Sequence, residues 1–288
     1  MKRRAPLCLL YLDVYWHLNI SCKVKWGDAL SEEFLIPLGT KQGGISSPKF
    51  FALYVDEIAE KLRQSGLGCH LVNVFVGAIL FADDLALLSP SRAALQKMIH
   101  LCHQVCNDLC LQFNSKKSKI LVFGKCHKES LAPICIGDTP LEYVQEWKYL
   151  GTTLVSGRNI SFSARSDLSS FLRATNSIIA ALPDASEHVV VQLLYCNCVP
   201  ILSYASEVKQ FSASEMTSCN TAINNAMRRV FGFTDWRSIR ALREVFGFQS
   251  IYEIFKKSEL RFLASCQTHV NPIIRHLINH VLTRFRSF

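Results

Sequence analysis

The stretch that decides the fold runs from Val72 to Leu88 and reads VNVFVGAILFADDLALL. Two apolar, β-rich runs, Val72 to Leu80 and Leu85 to Leu88, flank Phe81-Ala82-Asp83-Asp84. A carboxylate buried unpaired along a strand is strongly disfavoured, so the two acids belong at the turn of a β-hairpin. Adjacent aspartates at a hairpin tip suit Mg²⁺, a hard cation that commonly needs only one or two protein carboxylates beside substrate phosphates. Neighbouring side chains of an extended segment point to opposite faces, so Asp83 and Asp84 need not both be ligands. An isolated Asp-Asp pair is more often a solvated turn, and its surroundings decide between the two readings.

Upstream, Phe51, Tyr54, Val55, Ile58 and Leu62 recur at helical spacing between Ser46 and Gly66. Ser47 suits the N-cap, Pro48 the first helical position and Gly66 the C-terminal stop. A polar glycine-rich loop, Gly39-Thr40-Lys41-Gln42-Gly43-Gly44-Ile45-Ser46-Ser47-Pro48, feeds that helix and does not follow the Walker pattern. Downstream, Leu95, Met98, Ile99, Cys102, Cys106 and Leu109 predict one face of a helix over 91–109. Asn114-Ser115-Lys116-Lys117-Ser118-Lys119 follows, with a strand expected from Lys119 to Phe123. Ile134 to Ile136 and Leu141 to Val144 bracket a Gly137-Asp138 turn, and Trp147 to Val155 reads as a further strand. From Ser163 the pattern turns helical: 163–182 stopped by Pro183, 187–210 kinked at Pro200, then 212–231, 237–246 and 250–267. The expected class is α+β, an antiparallel sheet with helices over 1–160 followed by an all-α region over 161–288.

Composition bounds the function. With 288 residues, 49% hydrophobic and 19% charged, the chain has ample core and is no disordered polyelectrolyte. The net charge of +9 is uneven, because residues 225–288 hold eleven Lys and Arg against four acids. A second island, Lys116, Lys117, Lys119, Lys125 and Lys128, contains no acid. Such clusters suit a phosphate backbone, and a solvated helix face is the alternative. The twelve cysteines are too dilute for a disulfide scaffold, so reduced, buried thiols are expected. Cys102, Cys106 and Cys110, beside His100 and His103, lie four residues apart on a helix. Such neighbours are about 5–6 Å apart and the outer pair about twice that, so they cannot share one tetrahedral zinc, and no structural zinc is expected. The basic opening and the apolar run Leu7 to Leu12 imitate a signal peptide, but no small-residue cleavage site follows. No stretch approaches the roughly 18 apolar residues of a membrane span. A soluble protein of the nucleus or cytoplasm, with no membrane partner, is expected.

In this order and spacing the segments resemble the reverse transcriptases of non-LTR (LINE-type, jockey-like) retrotransposons. Gly39 to Pro48 resembles the family's Gly-x-x-Gln-Gly-(Gly)-x-x-Ser-Pro, and Phe81 to Asp84 its Tyr/Phe-Ala-Asp-Asp box. Asn114 to Ser118 is similar to Asn-x-x-Lys-(Ser/Thr), Tyr149 to Gly151 to Tyr-Leu-Gly, and Lys25-Trp26-Gly27 to the strand pair ahead of the glycine-rich loop. Ala226-Met227-Arg228-Arg229 and Glu244-Val245-Phe246-Gly247 look like the thumb and the region after it.

The resemblance implies a partial polymerase palm followed by a helical thumb. It implies an RNA template, a DNA primer and dNTPs as partners, with Mg²⁺ or Mn²⁺ as cofactor. Asp83 would hold two ions that activate the primer hydroxyl and neutralise the leaving pyrophosphate, with Asp84 supporting it. Gln42, Gly43 and Gly44 would line the nucleotide and template pocket, Lys117 would approach the incoming triphosphate, and Tyr149, Leu150 and Gly151 would form the primer grip. Arg228 and Arg229 would meet the nucleic-acid backbone. The family also carries an upstream carboxylate in a pattern resembling Asp-x-x-x-Ala-Phe-Asp, which this chain lacks. Asp13 mimics it superficially, but its spacing from Lys25-Trp26-Gly27 matches a helix. Three readings follow: a truncated polymerase fragment with an incomplete metal site, a nucleic-acid-binding module without chemistry, and a degraded mobile-element copy.

Overall fold

The computed structural model describes residues 6–36, 39, 43–71, 73–209, 211–234 and 238–285. The chain forms two compact units, Met1–Phe113 and Asn114–Phe288.

The first unit opens with helix α1 (Leu7–Leu18), which contains Asp13. Four short strands follow: β1 (Ser21–Cys22), β2 (Lys25–Trp26), β3 (Ala29–Leu30) and β4 (Phe34–Leu35). The β2–β3 hairpin lies inside the antiparallel β1–β4 pair. Helix α2 (Ser47–Gln64) has Pro48 in its first turn. Its N-cap is Ser46, not Ser47, and Ser46 makes no side-chain cap bond; the Ser47 N–H goes instead to the Gly44 carbonyl at 3.2 Å.

Two hairpins come next, β5 (His70–Leu71) with β6 (Val74–Phe75) and β7 (Ala78–Phe81) with β8 (Asp84–Leu87). The expected single run to Leu80 is therefore broken at Gly77. A Cβ there would lie 2.5 Å from the Phe75 ring, so only glycine lets the chain pass between the hairpins. Helix α3 (Arg92–Asp108) starts on Ser91, whose hydroxyl accepts the Ala94 N–H at 3.2 Å. Val55, Ile58 and Leu62 of α2 meet Met98, Cys102, Val105 and Cys106 of α3 in one core, closed by Ala78, Leu80, Leu85 and Leu87 of the hairpin. Burying a side chain as completely as Leu62 or Met98 stabilises the unit by about 1.5–3 kcal/mol. Tyr54 completes the packing by donating its hydroxyl to the Leu109 carbonyl at 2.6 Å.

The second unit begins with β9 (Lys119–Ile120), β10 (Cys135–Ile136), β11 (Thr139–Pro140) and β12 (Glu142–Tyr143). β10 and β11 are antiparallel, whereas β12 runs parallel to β9. β13 (Glu146–Tyr149), β14 (Thr152–Val155) and β15 (Ser161–Phe162) form a three-stranded antiparallel sheet. Trp147 to Val155 is thus a hairpin rather than one strand. Leu150 and Gly151 sit at φ +45° and +80°, the consecutive left-handed pair of a type I′ turn.

Helices fill the rest: α4 (Arg165–Ala181), α5 (Glu187–Leu193), α6 (Val199–Ser203), α7 (Ala213–Phe231), α8 (Ser238–Phe246), α9 (Ile251–Gln267) and α10 (Pro272–Phe285). Between α5 and α6, just ahead of Pro200, the backbone widens into a π-helical segment, Leu194–Cys198, and the helical run ends at Ser203 and not at the expected 210. Pro200 has no N–H to return to the Cys196 carbonyl, and the widened turn absorbs that loss. Capping boxes fix the starts of α7 (Ser212 with Glu215) and α9 (Ser250 with Glu253), each contributing about 1 kcal/mol. Burial would raise the Glu215 carboxyl, but hydrogen bonds from Ser212 and the Ala164 N–H outweigh it and hold the group below its ordinary value. The core gathers Phe171, Val191, Leu202, Met227 and Ile251.

Strands give way to helices at Phe162 and Arg165, near the expected 160, yet the compact units divide at Phe113 and Asn114. Side-chain bonds tie the β13–β15 sheet to the helices. The Glu215 carboxylate accepts the Ala164 N–H just beyond β15, and the Tyr204 hydroxyl donates to the Leu150 carbonyl. Among the described residues no helix is long and apolar enough to cross a membrane.

None of the twelve cysteines is in a disulfide. Cys102, Cys106, Cys198 and Cys219 are buried, whereas Cys8, Cys22, Cys110, Cys126 and Cys196 are exposed. Burial, aided by the neighbouring Cys106, pushes the Cys102 thiol up to about 12. Iodoacetamide at pH 8 should therefore label Cys22, Cys110 and Cys196 in the native chain and spare Cys102, Cys106 and Cys219 until denaturant is added. Native-state labelling of Cys102 at the rate of Cys110, read by peptide mass spectrometry, would contradict the α2–α3 packing.

Candidate active site

The β7–β8 hairpin carries the acidic pair. Phe81 pairs with Asp84, so Ala82 and Asp83 are the two turn residues and Asp84 is the first residue of the returning strand. Leu80 and Leu85, directly across from each other, turn inward onto the α2–α3 core. That register sets the acids outward, and Phe81, Asp83 and Asp84 are exposed. Among the described residues neither aspartate forms a salt bridge or a side-chain hydrogen bond. Both carboxylates are thus free to take a hard cation that keeps waters or phosphate oxygens as its remaining ligands. Among the described residues no group of three or more His, Cys, Asp or Glu is placed to hold a metal. The pair fits one such ion together with substrate phosphates and does not by itself build a closed protein cage.

The loop ahead of α2 is described at Gly39, Gly43 and Gly44, and Gln42 lies outside the described residues. Gly43 adopts φ +82°, which an L side chain rarely takes, and none of the described residues comes within 4 Å of the position a Cβ would occupy. Glycine is needed there for its conformation. Helix α2 brings this loop into the same unit as the hairpin.

The remaining residues with expected roles lie in the second unit. Asn114 organises its motif locally: its Oδ1 and its carbonyl each accept the Lys117 N–H, at 3.1 Å, and the carbonyl also accepts the Ser118 N–H at 3.0 Å. This Asx-type turn leaves Lys116 and Lys117 exposed. Two residues on, the Lys119 ammonium lies 5.9 Å from the centre of the Trp147 ring, so the motif stands beside β13. Tyr149, Leu150 and Gly151 enter and form the β13–β14 turn. Arg228 and Arg229 occupy the last turn of α7, where the helix dipole favours cations. Arg228 is held by Asn225 of its own helix at 2.6 Å and Arg229 by Asn176 of α4. Among the described residues neither guanidinium meets a carboxylate.

Composition and periodicity missed the support of the β13–β14 turn. Lys209 and Asp167 form an ion pair at 2.8 Å with the Lys209 side chain only 1% exposed, and the Lys209 ammonium lies 5.9 Å from the centre of the Tyr204 ring. No local pattern announces contacts that span 42 and 54 residues.

Residues 8–154 match the family described as reverse transcriptase (RNA-dependent DNA polymerase), and the chain belongs to that family. The matched span contains the glycine-rich loop, the acidic hairpin, the Asn114–Ser118 turn and the β13–β14 turn. Among curated relatives, the chain is similar to the retrovirus-related Pol polyprotein from type-2 retrotransposable element R2DM of Drosophila melanogaster. Identity is 29% over 146 residues, covering 48% of this chain and 14% of the relative. It is also 30% identical over 128 residues to the Pol polyprotein from type-1 retrotransposable element R2 of Nasonia vitripennis, covering 39% of this chain and 12% of the relative. Both relatives are R2 retrotransposable elements, consistent with the expected reverse transcriptase of a non-LTR retrotransposon. The matched part of the chain spans only about an eighth of their length.

The hairpin geometry carries a stability prediction. Ala82 is held at φ +50°, which costs an L residue about 1 kcal/mol. Ala82→Gly should therefore raise the stability of the chain by about 0.5 kcal/mol, once the added freedom of the unfolded glycine is subtracted. A lower urea midpoint with an unchanged slope would contradict the left-handed turn.

Proposed function

We propose that this chain is the nucleotide- and primer-handling segment of an RNA-directed DNA polymerase. Its partners would be an RNA template, a DNA primer and dNTPs. The observation that carries this reading is the pair of exposed carboxylates, free of partners among the described residues, at the tip of a hairpin whose register is fixed by its own core. Asp83 and Asp84 would hold Mg²⁺ or Mn²⁺. The bound ion would supply charge neutralisation at the transferring phosphate.

The chain's own residues would do the positioning. The bare backbone at Gly43 and Gly44, with Gln42, would accept the base and template, and the exposed Lys117 would draw the triphosphate. Tyr149, Leu150 and Gly151 would hold the primer end, and Arg228 and Arg229 would contact the duplex backbone. The first unit and the β9–β15 region would then serve as palm and the helices from α4 onward as thumb.

A second reading is binding without chemistry. It is favoured by the lack, among the described residues, of a further acid grouped with Asp83 and Asp84. Primer extension on poly-rA with oligo-dT and Mg²⁺ separates the two. The polymerase reading predicts incorporation that falls at least about 100-fold in Asp83→Ala. Duplex binding by the wild-type chain without any incorporation would select the second reading.

Both readings predict phosphate contacts. Replacing Arg228 and Arg229 by Gln should weaken duplex binding and reduce the salt slope by about 1 per lost contact, whereas neutralising Lys61 and Arg63 of α2 should not. Equal effects in a salt titration would reduce the C-terminal charge to a solvated face.

A further inference from the structure

The β13–β14 turn is held from outside its own sheet, and one side chain does the holding. Tyr204 follows α6 in sequence and donates its hydroxyl to the Leu150 carbonyl at 3.1 Å. Its ring also fills the space that a side chain at position 151 would need, since a Cβ on Gly151 would lie 2.8 Å from the Tyr204 Cε1. A type I′ turn with leucine in its first left-handed position is intrinsically strained, because Leu150 at φ +45° lacks the freedom of Asn or Gly. An external bond to the Leu150 carbonyl opposes relaxation of that peptide.

Tyr204 is itself fixed from behind. Its N–H donates to the Pro200 carbonyl at 2.9 Å, and Lys209 N–H and Val208 N–H both return to the Ala205 carbonyl. The Lys209 ammonium under the ring is locked by Asp167 of α4. The path Asp167, Lys209, Tyr204, Leu150 therefore runs from the first turn of the helical region to the tip of the β13–β14 hairpin. Tyr204 remains 55% exposed, so it contributes little to the core while touching both turn residues.

We propose that Tyr204 is a positioning residue for the primer 3′ end, presenting the Leu150-Gly151 turn in its left-handed form. This rests on the assignment of that turn to the primer end. The consequence is that primer-end capture depends on a side chain supplied by the helical region, some 50 residues after the turn it serves.

The test uses the full chain, an oligo-dT primer ending in 4-thiothymidine and a poly-rA template. Three quantities are read: crosslinking of the primer terminus to the 146–155 peptide, overall duplex affinity by anisotropy, and amide hydrogen exchange in that peptide. Tyr204→Phe keeps the ring and removes the hydroxyl. It should speed exchange at the turn and cut terminal crosslinking about fivefold, the effect of losing one neutral hydrogen bond, while overall affinity changes less than about twofold. Crosslinking or exchange at the wild-type level in Tyr204→Phe would overturn the role of Tyr204 alone. A wild-type chain that binds duplex without crosslinking its terminus to this peptide would overturn the primer-end assignment, and the positioning role with it.

Discussion

A carboxylate that cannot be paired must reach water, and in the first unit that constraint fixes everything around the β7–β8 hairpin. With Asp83 in the turn and Asp84 opposite Phe81, the alternation of the strands places Leu80 and Leu85 against α2 and α3. A slip of one residue would turn Asp84 into the core and Leu85 out to solvent. The chemistry that makes the tip suitable for a hard cation is thus the same chemistry that sets the register.

The second unit depends on a different interaction. Lys209 and Asp167 pay the desolvation of two charges, and removing one partner from such a pair costs about 3–5 kcal/mol because the other is left buried. Through Tyr204 the pair also supports the β13–β15 sheet. Tyr204 stands on Lys209, Glu215 reaches the Ala164 N–H, and both tie residues near 150–164 to α4, α6 and α7. The motifs that carry the family resemblance are consequently divided between the two units, with the loop and acids in one and Lys117, the β13–β14 turn and the arginines in the other.

Much of this was legible in the sequence where a local rule governs. The acidic tip followed from desolvation, α2 and α3 from the spacing of Val55, Ile58, Leu62, Met98, Cys102 and Cys106, and the Gly137-Asp138 turn from its composition. Two local signals were read too coarsely. Gly77 divides the apolar run before the acids, and Leu150-Gly151 reverses a segment whose β propensity is continuous on both sides. The helical run through Pro200 was expected, but the π-helical widening just before it, where the proline lacks an N–H, leaves no mark in the periodicity. The Asp167–Lys209–Tyr204 path and the unit boundary lay beyond any periodicity, because both come from contacts between residues 40 to 60 positions apart.

The central claim is that the tip of the β7–β8 hairpin takes a divalent cation together with substrate phosphates. Paramagnetic broadening of backbone amide resonances by Mn²⁺, recorded with primer–template and a dNTP present, tests it directly. Signals of Ala82 to Leu85 should broaden first, recover on addition of excess Mg²⁺, and be insensitive to Mn²⁺ in the Asp83→Asn, Asp84→Asn chain. Broadening that favours other acids, or that survives in the doubly substituted chain, would contradict the claim.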